Sequence, residues 1–244
     1  SIQIWKEYTD QIEISIINPS GVRVGPVPEI LGPHRFRIGQ TEILLYYGEP
    51  SPYSISQEIY IDLLPVESYL TEGIWRIVLS AGKIVTGQYE MWLPSDNVLN
   101  RGTGFLFPTD ATTLTIPSSS SRAISVGAYD ARTFAYADFS GRGFTRLTNM
   151  VKPDLVAPGV EVMTTTVGGG YAAFTGTSFA TPFVTGSAAL LMEWGIVRGN
   201  DPYLYGEKVK AYLRRGAREL PGFGKYPNRE VGYGRLCLER SLPD

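Results

Sequence analysis

Phe174-Thr175-Gly176-Thr177-Ser178-Phe179-Ala180-Thr181-Pro182 joins a glycine-bearing turn to a run of small and apolar residues. That run predicts a helix over residues 178–194, closed by Gly195, with Ala180, Val184, Ser187, Ala188 and Leu191 on one side. Small residues on that side permit close packing against a neighbour. A serine at the mouth of such a helix sits where backbone N–H groups are unpaired and the helix dipole is positive. This setting favours the negative charge that develops when a hydroxyl attacks a carbonyl. Gly176 admits close approach of a substrate backbone, and Pro182 in the first turns costs little. An isolated Gly-Thr-Ser also reads as a helix cap, a role Ser and Thr fill throughout proteins. Both readings stand on this string alone.

Working outward, 123–128 (Ala-Ile-Ser-Val-Gly-Ala) is a small-residue strand of the kind buried within a sheet covered on both faces. Leu155-Val156-Ala157 and Val160-Glu161-Val162-Met163 flank a Pro158-Gly159 turn. A second helix is predicted over residues 207–215, stopping at Gly216, with Val209, Tyr212 and Leu213 facing inward. Strands and helices thus alternate, which is an α/β layer pattern. The first hundred residues differ. Ile12/Ile14/Ile16, Ile59/Ile61/Leu63, Trp75/Ile77/Leu79 and Tyr89/Met91/Leu93 repeat with period two between Gly- and Pro-marked turns. Such runs predict an antiparallel β-sandwich, jelly-roll-like, over 1–105, with the α/β part occupying 106–244. The aromatics Trp5, Tyr46, Tyr47, Tyr53, Tyr60 and Trp92 suggest a sandwich core or rim, with a sugar or peptide platform as the alternative.

Composition excludes several classes. The chain has 244 residues, a formal charge of −2 and an apolar fraction of 43%. These values suit a globular chain with a real core. No stretch approaches the roughly 18 apolar residues of a membrane-spanning helix, and no N-terminal export segment appears. The balanced charge points to neither nucleic acid nor an anionic membrane as partner. One cysteine, Cys237, rules out an internal disulfide and a Cys-based zinc site. No cofactor or metal is expected, since no acidic cluster has the spacing of a calcium loop.

The string Gly176-Thr177-Ser178-Phe179-Ala180-Thr181-Pro182, continuing into Val184 and Gly186-Ser187-Ala188-Ala189-Leu190, resembles the nucleophile segment of the subtilisin-like serine proteases. Lys152-Pro153-Asp154-Leu155-Val156-Ala157-Pro158-Gly159 is similar to the proline-glycine turn ahead of it. Ile124-Ser125-Val126-Gly127-Ala128, Phe139-Ser140-Gly141-Arg142-Gly143 and Gly232-Tyr233-Gly234-Arg235-Leu236 resemble further family segments, in the family's order, over residues 112–241. The resemblance implies that Ser178 is the nucleophile of a Ser-His-Asp triad, with its own backbone N–H as one oxyanion donor. It implies that Thr115, Ile116 and Pro117, with Ser118, lie near the wall of the pocket for the substrate side chain before the cut. No charge lies in that stretch, so an apolar or modest side chain is expected there. Gly176 and Thr177 complete the substrate-binding set.

The family's catalytic His opens a helix in a His-Gly-Thr setting, and no such setting occurs here. The single histidine, His34, stands in Gly32-Pro33-His34-Arg35, which reads as a turn or surface position. Asn18, Asn97 and Asn100 lack the small-residue strand of the family's oxyanion Asn. The resemblance therefore implies the C-terminal part of a longer protease, which needs Asp, His and Asn from an N-terminal part and acts on polypeptide. The preceding sandwich is similar to an insert in bacterial spore-germination subtilisin-like proteases. Two alternatives are a non-catalytic relative that binds or regulates, and a lectin-like module with a protease-like tail. Compartment stays open, extracytoplasmic and spore-associated settings among the possibilities.

Overall fold

The computed structural model describes residues 1–95 and 98–242. It divides into two compact units, Ser1–Phe107 and Pro108–Asp244.

In the first unit the period-two runs become strands β1 (Ile2–Glu7), β2 (Ile12–Ile17), β3 (Arg23–Val27), β4 (Gly32–Ile38), β5 (Thr41–Tyr47), β6 (Ser56–Pro65), β7 (Arg76–Ala81) and β8 (Tyr89–Trp92). They form two sheets, ordered β4-β5-β6-β1-β8 and β3-β2-β7, with every pairing antiparallel. Ile4, Ile43, Leu45, Ile59 and Ile61 of the larger sheet and Ile12, Ile14 and Ile16 of the smaller share one apolar core. Alternation puts all of these on the facing sides of their strands. Tyr47 is also in this core, its hydroxyl 3.1 Å from the Val27 carbonyl and 3.2 Å from that of Ile12. Burial pushes its phenol pKa up.

Trp5, Tyr46, Tyr53, Tyr60 and Trp92 do not belong to this core. Tyr46 pairs with Tyr60, Tyr60 with Gln3, and Gln3 with Trp92, a row running across the opposite face of the larger sheet. Trp5 shares that face by parity, and Tyr53 is exposed in a loop. One position of parity separates Tyr46 from Tyr47 and decides which is core.

The second unit holds β9 (Val126–Asp130), β10 (Ala135–Tyr136), β11 (Leu155–Pro158), β12 (Val162–Thr165), β13 (Tyr171–Phe174), α1 (Thr177–Met192), α2 (Gly206–Gly216) and α3 (Leu238–Ser241). β9 and β11 are parallel, and β10 lies antiparallel on the other side of β9. The segment around Arg235 extends the sheet beyond β11, where the Leu236 N–H donates to the Val156 carbonyl at 2.8 Å. β12 and β13 form a separate hairpin. α1 seats Ala180, Val184 and Leu191 in one core with Ala128, Leu155 and Ala157.

Three details depart from the sequence expectations. The strand ladder starts at Val126 rather than at residue 123, because the Ser125 N–H donates to the Asp154 carboxylate at 2.6 Å instead of to a strand. Gly195 does not close the helix. α1 runs on through a π-helical turn, Glu193–Val197, and the chain turns away at Gly199, whose φ is 75°. Gly195 is buried, and a Cβ there would lie 2.7 Å from Leu204 Cδ2, so the glycine serves packing. The continuous helix Thr177–Val197 is also long and apolar enough, by length and composition, to cross a membrane. Of its residues 177–192, only the stripe Ala180, Val184, Ser187 and Leu191 is buried.

Candidate active site

β13 leads through Thr175 and Gly176 into the first turn of α1, and Gly176 takes a φ of 153°, open to glycine. The Gly176 N–H donates to the Gly159 carbonyl at 2.8 Å, which ties this turn to the Pro158-Gly159 turn. A Cβ on Gly159 would lie 2.6 Å from Ala128 Cβ and 3.1 Å from the Gly176 carbonyl oxygen. Phe174 stacks on Phe179 with centroids 5.3 Å apart, closing the other side. Gly159→Ala is therefore expected to destabilise the second unit by about 1–3 kcal/mol through overpacking. A lowered urea midpoint measures this effect, and an unchanged midpoint would mean that the turn yields freely.

Neither Thr177 nor Ser178 caps the helix. Gly176 is the N-cap, no side-chain hydrogen bond caps the helix among the described residues, and Thr177 and Ser178 are the first two helical residues. The Ser178 side chain is on the exposed side of α1, and among the described residues nothing hydrogen-bonds its hydroxyl. The N–H groups of Thr177 and Ser178 find no backbone partner among the described residues. An unengaged hydroxyl therefore stands among free donors at the positive end of a sixteen-residue helix. Pro182 lacks the N–H that would bond the Ser178 carbonyl, yet the helix continues past it.

A pocket of about 450 Å³ opens beside this turn, its lining including Thr177, Thr115, Ser118, Asp110, Asp138 and Arg142. Thr115 and Thr177 thus come together. Ile116 and Pro117 are exposed, and neither they nor Gly176 nor Ser178 line the pocket, which Thr177 alone reaches from this turn. Arg142 donates to Asp110 at 2.8 Å, comes within 4.0 Å of Asp138 and lies over the Tyr136 ring at 5.2 Å. The two sides of the pocket are stitched together: the Thr113 N–H donates to the Arg142 carbonyl at 2.8 Å, and the Arg142 N–H donates to Thr113 Oγ1 at 2.9 Å. Residues 115–118 carry no charge, but the pocket does, because Asp110, Asp138 and Arg142 reach it from other segments. Phe139-Ser140-Gly141-Arg142 stood out in the sequence as a family-like loop, and nothing local marked Arg142 as a pocket residue.

Behind the pocket lies a buried charge cluster centred on Asp154. Lys152 Nζ lies 2.9 Å from Asp154 Oδ2, Lys210 Nζ 3.3 Å from Oδ1, and Arg214 Nε donates to Oδ1 at 2.8 Å. Lys210 also donates to the carbonyls of Ser121 at 2.7 Å and Ala123 at 2.9 Å, and Lys152 donates to the Ala123 carbonyl at 2.7 Å.

His34 lies within β4 rather than in a turn. It pairs with Leu45, its Nε2 is 2.7 Å from the Ile30 carbonyl, and its ring meets Tyr47 edge-on at 6.0 Å. Asn18 is a turn residue accepting the Val22 N–H at 2.8 Å, and Asn97 lies outside the described residues. Among the described residues no group of three or more His, Cys, Asp or Glu side chains is placed to hold a metal ion.

The family model for subtilases, Peptidase_S8, matches residues 76–234. The chain belongs to the subtilase family. Serine protease AprX of Bacillus subtilis is 33% identical over 154 residues, covering 55% of this chain and 33% of that protein. The membrane-bound transcription factor site-1 protease of Mus musculus is 36% identical over 134 residues, covering 53% of this chain and 12% of that protein. The structure of the CspB protease of Clostridium perfringens matches with a TM-score of 0.90 and 38% identity, over 98% of this chain and 50% of that one. That coverage takes in residues of both units of this subtilase. The chain thus spans half or less of the length of each of these relatives.

Proposed function

We propose that this subtilase chain carries the nucleophile and part of the substrate pocket of a serine endopeptidase. Ser178 Oγ attacks the peptide carbonyl as its proton passes to the general base; the C–N bond breaks, the amine leaves with that proton, and water hydrolyses the acyl-enzyme so formed. The Ser178 N–H and the helix dipole stabilise the oxyanion. The observation that carries this reading is the exposed, unengaged Ser178 hydroxyl in the uncapped first turn of α1, beside a polar pocket.

The general base, its orienting carboxylate and a second oxyanion donor come, on this reading, from an N-terminal part of the same protease that lies outside this sequence. His34 is engaged within its own sheet and takes no part. α1 supports the proposal. Only a narrow stripe of it is buried, while Phe183, Gly186, Ala189, Leu190 and Met192 are exposed. Apolar side chains at that density on one helix face suit burial under another segment. The first unit, on the same reading, is a sandwich inserted ahead of the nucleophile half, which stiffens the protease or holds its companion segment.

A fluorophosphonate probe tests the proposal. In the full-length protein it is expected to label Ser178, identified by peptide mass mapping. The isolated 244-residue chain is expected to react at least about a hundredfold more slowly, because general-base assistance typically contributes 10²–10⁴. Rapid labelling of the isolated chain would mean that it contains its own base. Failure of the full-length protein to label would favour a binding role without catalysis.

A further inference from the structure

Three cations surround the single carboxylate of Asp154, more than its charge needs. Lys152 and Arg214 alone keep Asp154 paired, at 2.9 Å and 2.8 Å. Lys152 also donates to the Ala123 carbonyl, at 2.7 Å. The one contact that belongs to Lys210 alone is with the Ser121 carbonyl, at 2.7 Å, reached from α2 across 89 residues of sequence. Ser121 ends the turn-rich stretch in which the Ser118 N–H donates to the Thr115 carbonyl at 2.8 Å and the Ser120 N–H to the Pro117 carbonyl at 2.9 Å. Thr115 and Ser118 of this stretch, and Ser125 just after it, line the pocket beside Thr177. Lys210 therefore holds the wall of the pocket from behind without touching the pocket itself.

We propose that Lys210 is a positioning residue for substrate selection, its ammonium fixing residues 115–125 through the Ser121 carbonyl so that the pocket keeps its shape. The inference rests on Ser178 being the nucleophile and on the adjacent pocket receiving a substrate side chain. Burial outweighs the attraction of Asp154 and lowers the Lys210 pKa from 10.5 to about 8. Between those values the unfolded chain binds the proton more readily than the folded one, so through this group stability rises as pH rises. At neutral pH the buried ammonium costs stability, and what it supplies in return is the grip on the wall. The charged groups facing it are Asp154 and Lys152, from the segment leading into β11, and Arg214, one turn along α2. Above pH 8 the ammonium is lost and the Ser121 carbonyl loses its charged donor.

The experiment uses the full-length protease and fluorogenic peptides differing only in the residue before the cut. Its readout is the ratio of kcat/KM for the best such peptide to that for its glycine counterpart, in which the pH dependence of the chemical step cancels. Lys210→Met is expected to lower this ratio about tenfold, and Lys210→Arg, charged at every pH used, to retain it. In wild type the ratio is expected to fall between pH 7 and pH 9.5, while in Lys210→Arg it stays flat. If Lys210→Met does not fold, the two pH profiles decide alone. An unchanged ratio in Lys210→Met, or parallel pH profiles for wild type and Lys210→Arg, would overturn the inference. Fluorophosphonate labelling of wild type at Ser178 is the control: its absence removes the catalytic reading itself, whereas labelling with an unchanged ratio removes only the role of Lys210.

Discussion

Ser178→Ala, introduced into the full-length protein, is expected to abolish fluorophosphonate labelling and to lower kcat by about 10⁵–10⁶, with KM little changed. The size of the effect follows from the chemistry. On the proposed reading no acyl-enzyme forms without the hydroxyl, and the general base brought by the N-terminal part has nothing to deprotonate. Groups that act as one unit are lost together when any one is removed, so this single change costs nearly all of the catalysis the unit provides. On the same reading binding survives, because the pocket is lined by Thr115, Ser118, Asp138 and Arg142, which the substitution leaves in place. Folding should be untouched, since the Ser178 side chain is exposed and makes no hydrogen bond among the described residues. Retained hydrolysis in Ser178→Ala, after exclusion of contaminating protease, would refute the assignment of the nucleophile.

The largest effect on stability is expected from Asp154→Ala. Asp154 is fully buried, as is Lys152, and Lys210 is nearly so. Removing the carboxylate leaves these two ammonium groups and the Arg214 guanidinium clustered with no counter-ion among the described residues, and leaves the buried Ser125 N–H without its acceptor. Breaking a buried pair by deleting one partner typically costs about 3–5 kcal/mol. Against a total stability of about 5–15 kcal/mol, that loss takes much of the margin. Urea denaturation of the full-length protein should show a sharply lowered midpoint or no folded baseline. Asp154→Asn, which keeps an acceptor for Ser125 but not the charge, should fall between. Wild-type stability in Asp154→Ala would show that water reaches the cluster and screens it.

Much of this architecture is legible in the residues because it is written locally. Alternation at Ile12/Ile14/Ile16 and Ile59/Ile61 specifies a strand and its buried side together, since side chains on a strand alternate with period two. The stripe Ala180, Val184, Ser187, Leu191 likewise specifies both the helix and the face it turns to the sheet. Where local signals mislead, a distant contact has intervened. Gly195 has the look of a helix stop and is instead a contact surface for Leu204. Trp5, Tyr46, Tyr60 and Trp92 have core-like composition but stand on the outer face of their sheet, because parity, not hydrophobicity, assigns the face.

By its sequence alone this chain determined the period-two half, the strand-helix half and the serine at the mouth of a small-residue helix, since each depends on residues within a dozen positions of one another. Only the tertiary structure decided that Asp110, Asp138 and Arg142 put charge into the pocket beside Thr177, and that Lys210 grips Ser121 from another helix. Those placements join Thr177 to residues 35 to 67 positions away, and Lys210 to Ser121 across 89. Electrostatic and hydrogen-bond partners at such separations leave no periodicity along the chain, because chain folding alone, and no local backbone preference, brings them within a few ångströms.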